Sequence, residues 1–154
     1  MHVHRNAKTT PKGRALLVQR VTELADAGAA ILVTTHYLEE AEQCNRLGFM
    51  VAGELVAEGT PSGVKAAQGG RVLEVRADDP LRAVTRLKTQ MDAWRVSLFG
   101  DRFHVIVDGD ADAAARDLTD RLARDGIRVL EIHEEEYSLE DVFLVIAERG
   151  AVAA

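Results

Sequence analysis

The sequence has one cysteine, Cys44, among 154 residues, which excludes an intrachain disulfide framework and a multi-cysteine zinc site. It has no basic excess. Nineteen Lys and Arg face 25 Asp and Glu, a formal charge of −6, whereas a general nucleic-acid binder carries a basic stripe. No apolar run approaches the ~20 residues that span a bilayer, and the N-terminus shows no signal-peptide core. Direct membrane insertion is not expected, and a cytoplasmic location is. What is present, 47% apolar and 29% charged residues, is the composition of a globular fold with a packed core.

The charge is unevenly placed. Residues 1–68 balance at seven basic and seven acidic side chains, whereas residues 69–154 carry 12 against 18. The break coincides with the chain's only Gly-Gly pair, Gly69-Gly70, so two units are expected to meet there. Residues 1–10 lack periodicity and read as a flexible leader.

From Pro11, Leu16, Leu17, Arg20, Val21 and Leu24 fall at helical spacing, and Gly28 is a natural stop. Residues 30–34 (Ala-Ile-Leu-Val-Thr) read as a short strand buried on both faces of a parallel sheet. Residues 37–44 then read as an acidic helix, residues 47–58 as a hairpin turning at Gly53, and Thr60 or Ser62 as the cap of a helix running to Ala67.

The second unit alternates as follows: strand 72–76, helix from Pro80 to Met91, strands 94–99 and 103–107 around Gly100-Asp101, an Asp110-capped helix, strand 127–133 and a helix opened by Ser138. That order is βαββαβ plus a helix, a ferredoxin-like split βαβ. The expected fold class is therefore α/β and α+β in one chain.

The most specific stretch is residues 31–42, in which a buried strand delivers His36 at its C-terminal end. An imidazole at the rim of an α/β sheet stands where ligands bind, and could donate to a phosphate oxygen or orient a water. With the Pro11-Lys12-Gly13-Arg14 start and the run from Val51 to Pro61 (Val-Ala-Gly-Glu-Leu-Val-Ala-Glu-Gly-Thr-Pro), residues 11–68 resemble the C-terminal end of an ABC transporter nucleotide-binding domain, of the daunorubicin-resistance exporter type. That implies a partial P-loop-type ATPase subdomain. Residues 71–149, with Tyr137-Ser138-Leu139-Glu140-Asp141-Val142-Phe143-Leu144 near their end, resemble the accessory domain that follows such ATPases.

The likeness makes His36 the switch, or H-loop, histidine, which would contact the γ-phosphate of ATP and link it to a partner subunit. It implies ATP and Mg as cofactors of the intact family, a transmembrane permease as partner, and a place on the inner face of the membrane when assembled. The sequence contains no G-x-x-x-x-G-K-[ST] cradle, signature motif, Q-loop or acidic strand with a catalytic glutamate, and Thr10 stands where a D-loop aspartate is expected. The expectation is a truncated ATPase with no cofactor of its own, unable to hydrolyse ATP alone, and homodimeric.

Other candidates have plainer readings. Glu39, Glu40 and Glu42 read as a solvated helix face. His133 beside Glu134, Glu135 and Glu136 reads as an acidic turn rather than a metal site, because successive strand residues point to opposite faces. His2 and His4 lie on the leader, and Cys44 reads as a half-buried thiol. Trp94, Phe99, Phe103 and Phe143 read as core. Two alternatives of other classes are a stand-alone ferredoxin-like regulatory or dimerisation module and a metal-dependent enzyme built on His36 or His133.

Overall fold

A computed structural model describes residues 11–152, and the leader with His2 and His4 lies outside them. The chain divides after His36 into two compact units.

The first unit is helix α1 (Pro11–Asp26) and the segment that follows it. The helix closes with a Schellman pair: Gly28 N–H donates to Ala25 C=O and Ala29 N–H to Leu24 C=O. The expected strand at residues 30–34 is not formed, since residues 29–35 have no regular structure. Leu32 is 94% exposed, and Ile31 and Val33 are exposed as well. A strand buried on both faces needs neighbours on both edges, and no described strand pairs with this run.

The second unit opens with a single helical turn, α2 (Leu38–Ala41), shorter than the helix expected over residues 37–44. Strands β1 (Leu47–Val51) and β2 (Glu54–Gly59) form the expected hairpin. Its turn residues Ala52 and Gly53 both hold positive φ (51° and 86°), the sign that a two-residue primed turn requires. Helix α3 (Pro61–Ala66) begins at Thr60, whose Oγ1 accepts from Gly63 N–H at 3.0 Å, while Pro61 sits where its missing N–H costs nothing.

The rest of the unit is βαββαβ: β3 (Arg71–Ala77), α4 (Pro80–Leu87), β4 (Val96–Phe99), β5 (Arg102–Val107), α5 (Ala111–Arg124) and β6 (Val129–Glu135). The strands form one antiparallel sheet in the order β4-β5-β3-β6, the split βαβ arrangement expected from the element order. Several boundaries differ from expectation, among them β6, which is shifted from residues 127–133 to Val129–Glu135. Helix α4 stops at Leu87 rather than Met91, and Trp94 lies in a 3-10 turn (Ala93–Arg95) before β4 instead of in the strand. Gly70 has no room for a side chain: its φ is +85° and a Cβ would lie 2.7 Å from the Val107 carbonyl. The Gly69-Gly70 pair thus lets β3 start flush against the end of β5.

Strand alternation sorts the two faces. Leu73, Val75 and Ala77 of β3 and Phe103 and Val105 of β5 point to one side, where they pack with Ala83, Val84 and Leu87 of α4 and Leu118 and Leu122 of α5. On the other side Val72 and Ile106 meet Val145 of the last helix, α6 (Leu139–Val152). The same helix turns Leu139 and Val142 toward Phe49 of β1 and Val64 of α3. Each buried Leu, Val or Phe of this kind stabilises by about 1.5–3 kcal/mol, so α6 joins hairpin to sheet through its buried stripe. The described residues are α+β, with two antiparallel sheets and six helices. No helix among them is long and apolar enough to cross a membrane.

Candidate functional site

The expected site residue, His36, is exposed at a bend in the first unit, in the segment that lacks its strand. No described strand holds it at a sheet rim. Of the acidic residues after it, Glu42 serves the fold of the second unit. Glu42 accepts from Lys65 Nζ at 3.0 and 3.1 Å, tying the turn after α2 to α3, and Cys44 Sγ lies 3.8 Å from the Glu40 carbonyl.

His133 points to the same face of the sheet as Glu131 and Glu135. Its Nε2 is 3.4 Å from Glu135 Oε2 and 3.7 Å from Glu74 Oε1, while Glu134 turns away to accept from Arg71. Among the described residues no group of three or more His, Cys, Asp or Glu could hold a metal ion. Phe103 is wholly buried and Phe143 packs on Phe49 with ring centroids 5.8 Å apart, as core residues do. Trp94 is partly buried, with the Arg95 guanidinium 4.5 Å from its ring centroid, and the Phe99 ring lies 4.5 Å from the His104 ring.

A polar constellation that sequence reasoning missed lies under α6. Glu74 of β3 and His104 of β5 are register partners on the face opposite the main core, and Asp141 comes down on them from α6. His104 Nδ1 is 2.7 Å from Asp141 Oδ1, and its Nε2 is 3.4 Å from Glu74 Oε2. Arg102 Nη1 donates to Glu74 Oε1 at 2.6 Å. The second Asp141 oxygen accepts from Ser138 N–H and Oγ–H at 3.0 and 2.7 Å, and Asp141 N–H donates back to Ser138 Oγ. This is a reciprocal N-terminal cap in Ser-x-x-Asp form.

Asp141 is 2% exposed, and the side chains of His104 and Glu74 are each 13% exposed. Burial by itself raises the Asp141 carboxyl, but the bonds from His104 and Ser138 outweigh it and hold the group below its ordinary 3.8. Burial likewise raises Glu74, yet Arg102 and then His104 bring it below 4.5. For His104 the signs reverse: burial lowers it, and Asp141 and then Glu74 carry it above 6.5. The constellation holds a charge in place and leaves no buried side-chain polar atom unpaired among the described residues, so its chemistry is that of a clamp rather than a nucleophile. The alternating Arg102-Phe103-His104-Val105-Ile106 and the Ser138-x-x-Asp141 spacing were the readable signals. Neither says that the two segments meet.

Residues 59–147 match the family model described as "ATP-binding protein DrrA1-3-like, C-terminal domain". The Nod factor export ATP-binding protein I of Burkholderia pseudomallei strain K96243 is 33% identical over 141 residues, 90% of this chain and 43% of the relative. The protein of the same name from Cupriavidus metallidurans is 35% identical over 144 residues, 90% and 44%. That of Rhizobium etli is 30% identical over 141 residues, 90% and 42%. The chain thus spans less than half the length of these relatives. With the family model covering more than half of the chain, and the split βαβ sheet and the capped start of the last helix inside the matched range, this chain belongs to the DrrA1-3-like ABC transporter ATP-binding proteins, of which it carries the C-terminal part.

Proposed function

We propose that this chain forms the C-terminal part of the ATP-binding subunit of an ABC-type exporter, and that by itself it does not hydrolyse ATP. Similarity over 90% of the chain carries the reading, because it reaches well beyond residues 59–147, which the family model matches, into the segment that resembles the nucleotide-binding domain. In that reading residues 11–68 are the end of that domain and residues 71–149 are the ferredoxin-like accessory domain. ATP and Mg, the permease and a position at the inner membrane face belong to the assembled exporter.

The residues present do not fit a nucleoside triphosphate. No glycine-rich loop of the P-loop pattern occurs, and the strand that would hold His36 at a sheet rim is unformed. We therefore assign His36 a γ-phosphate contact only in an intact subunit. A malachite-green assay of the 154-residue chain with Mg-ATP should release no phosphate above the protein-free rate. Magnesium-dependent turnover lost in His36→Ala would overturn the reading.

A second reading, a dimerisation module, is favoured by the sheet edges. β4 and β6 each lack a partner on one side among the described strands, and each carries an exposed leucine, Leu98 and Leu130. Light scattering on a sizing column should return about twice the chain mass. A monomer at micromolar concentration would remove this reading and leave the first intact.

A further inference from the structure

We propose that His104 is a proton-operated latch: with both ring nitrogens protonated it ties α6 to the open face of the sheet, and on losing a proton it releases the α6 N-terminus and the hairpin packed on it.

Donors and acceptors set the protonation state of this ring. Both nitrogens of His104 face carboxylate oxygens, Asp141 Oδ1 on one side and Glu74 Oε2 on the other. A neutral imidazole has one N–H and one lone pair, so one carboxylate would always face a lone pair. Only the imidazolium donates to both. With Arg102 on Glu74, the set of two anions and two cations is neutral when His104 is charged. Loss of the proton leaves one uncompensated negative charge in a mostly buried place, where such a charge is costly.

The groups facing His104 come from every element around it. They are Glu74 on β3, Arg102 on its own strand, Ser97 and Phe99 on β4, and Asp141 with its Ser138 cap on α6. His133 of β6, with Glu131 and Glu135, stands behind Glu74. The lowered carboxyls and the raised imidazole agree with a latch that is closed in the charged state. Because the His104 value is raised, the latch is fully closed below pH 6.5 and opens as pH rises through the folded-state value.

The consequence reaches the hairpin because Leu139 and Val142, either side of Asp141, are the residues of α6 that bury Phe49 and Val64. Opening at Asp141 therefore loosens the hairpin and α3 while the β3–β5 ladder, packed on the other face, stays closed.

The test uses the full chain labelled with 15N. Long-range proton–nitrogen spectra resolve the five imidazoles, and the His104 signal is assigned by its absence from His104→Gln. We expect His104 to titrate above 6.5 with both nitrogens protonated before the midpoint. Amide exchange at residues 142–145, corrected for the intrinsic rate, should accelerate about tenfold through that midpoint, the loss of one charge-assisted hydrogen bond. Amides of β3 and β5 should not follow it, His104→Gln should lack the step, and His133→Gln should keep it. A His104 midpoint at or below 6.5, or α6 exchange with no step at the midpoint, would overturn the latch. Should His104→Gln not fold, the His104 signal is assigned by its through-space contact with the Phe99 ring, 4.5 Å away, and the exchange step of the unsubstituted chain still decides.

Discussion

Asp141→Ala is expected to be the most damaging single polar substitution in the second unit, costing about 3–5 kcal/mol in urea unfolding at pH 7. The carboxylate is 2% exposed and accepts from three donors: the His104 imidazole, Ser138 N–H and Ser138 Oγ–H. Truncation leaves a buried imidazolium without its nearer anion and removes half of the cap of α6. Asp141→Asn keeps an acceptor for Ser138 and loses only the charge, so it should cost about half as much. Two equal losses would mean that the ion pair, and not the cap, carries the stability.

The pH dependence of the unsubstituted chain follows from the same groups. Asp141 and Glu74 are lowered, so their contribution is present above their ordinary 3.8 and 4.5 and is lost as pH falls through the folded-state values. His104 is raised, so its contribution is full below 6.5 and is lost at higher pH. Stability in urea should therefore be greatest between pH 4.5 and 6.5 and fall on both sides, and His104→Gln should abolish the alkaline limb and, because His104 helps to lower Asp141 and Glu74, shrink the acid limb as well.

Phe103→Ala is expected to cost about 3–5 kcal/mol, with the urea midpoint falling by roughly 2 M. Phe103 is wholly buried at the centre of the main core, between the β3 residues and the two helices that cover them. A domain of this size is stable by only about 5–15 kcal/mol, so this one cavity removes a large part of it. Phe99→Ala is the contrast. Phe99 lies on the edge strand β4 and is only half-buried, and its loss should cost about 1 kcal/mol or less, mainly its contact with the His104 ring. Equal costs for Phe103 and Phe99 would place the core wrongly.

These two residues show how far the chain could be read without its structure. Phe103 was legible as core because β5 alternates apolar and polar residues, and alternation alone assigns a face. The Asp110 cap and the cap at Thr60 or Ser62 were legible because each rests on residues three positions apart, and the hairpin and the split βαβ order followed from the succession of elements along the chain. His104 was passed over because its partners lie 30 and 37 residues away, one on a central strand and one on the last helix. His36, singled out by its motif, stands at an exposed bend, and the strand expected to carry it is not formed. A parallel strand is stabilised by neighbours rather than by its own composition, and that dependence is invisible in a run such as Ile31-Leu32-Val33.

Sequence by itself determined the local alphabet of this protein: capped helices, primed turn, alternating strands, and the motifs that place it among ABC ATP-binding proteins. Only the tertiary structure decided which charges became buried, that α6 would join the hairpin to the sheet, and that an imidazole would sit between two carboxylates. Local periodicity is set by neighbours along the chain, whereas burial of a charge is set by chain closure across dozens of residues.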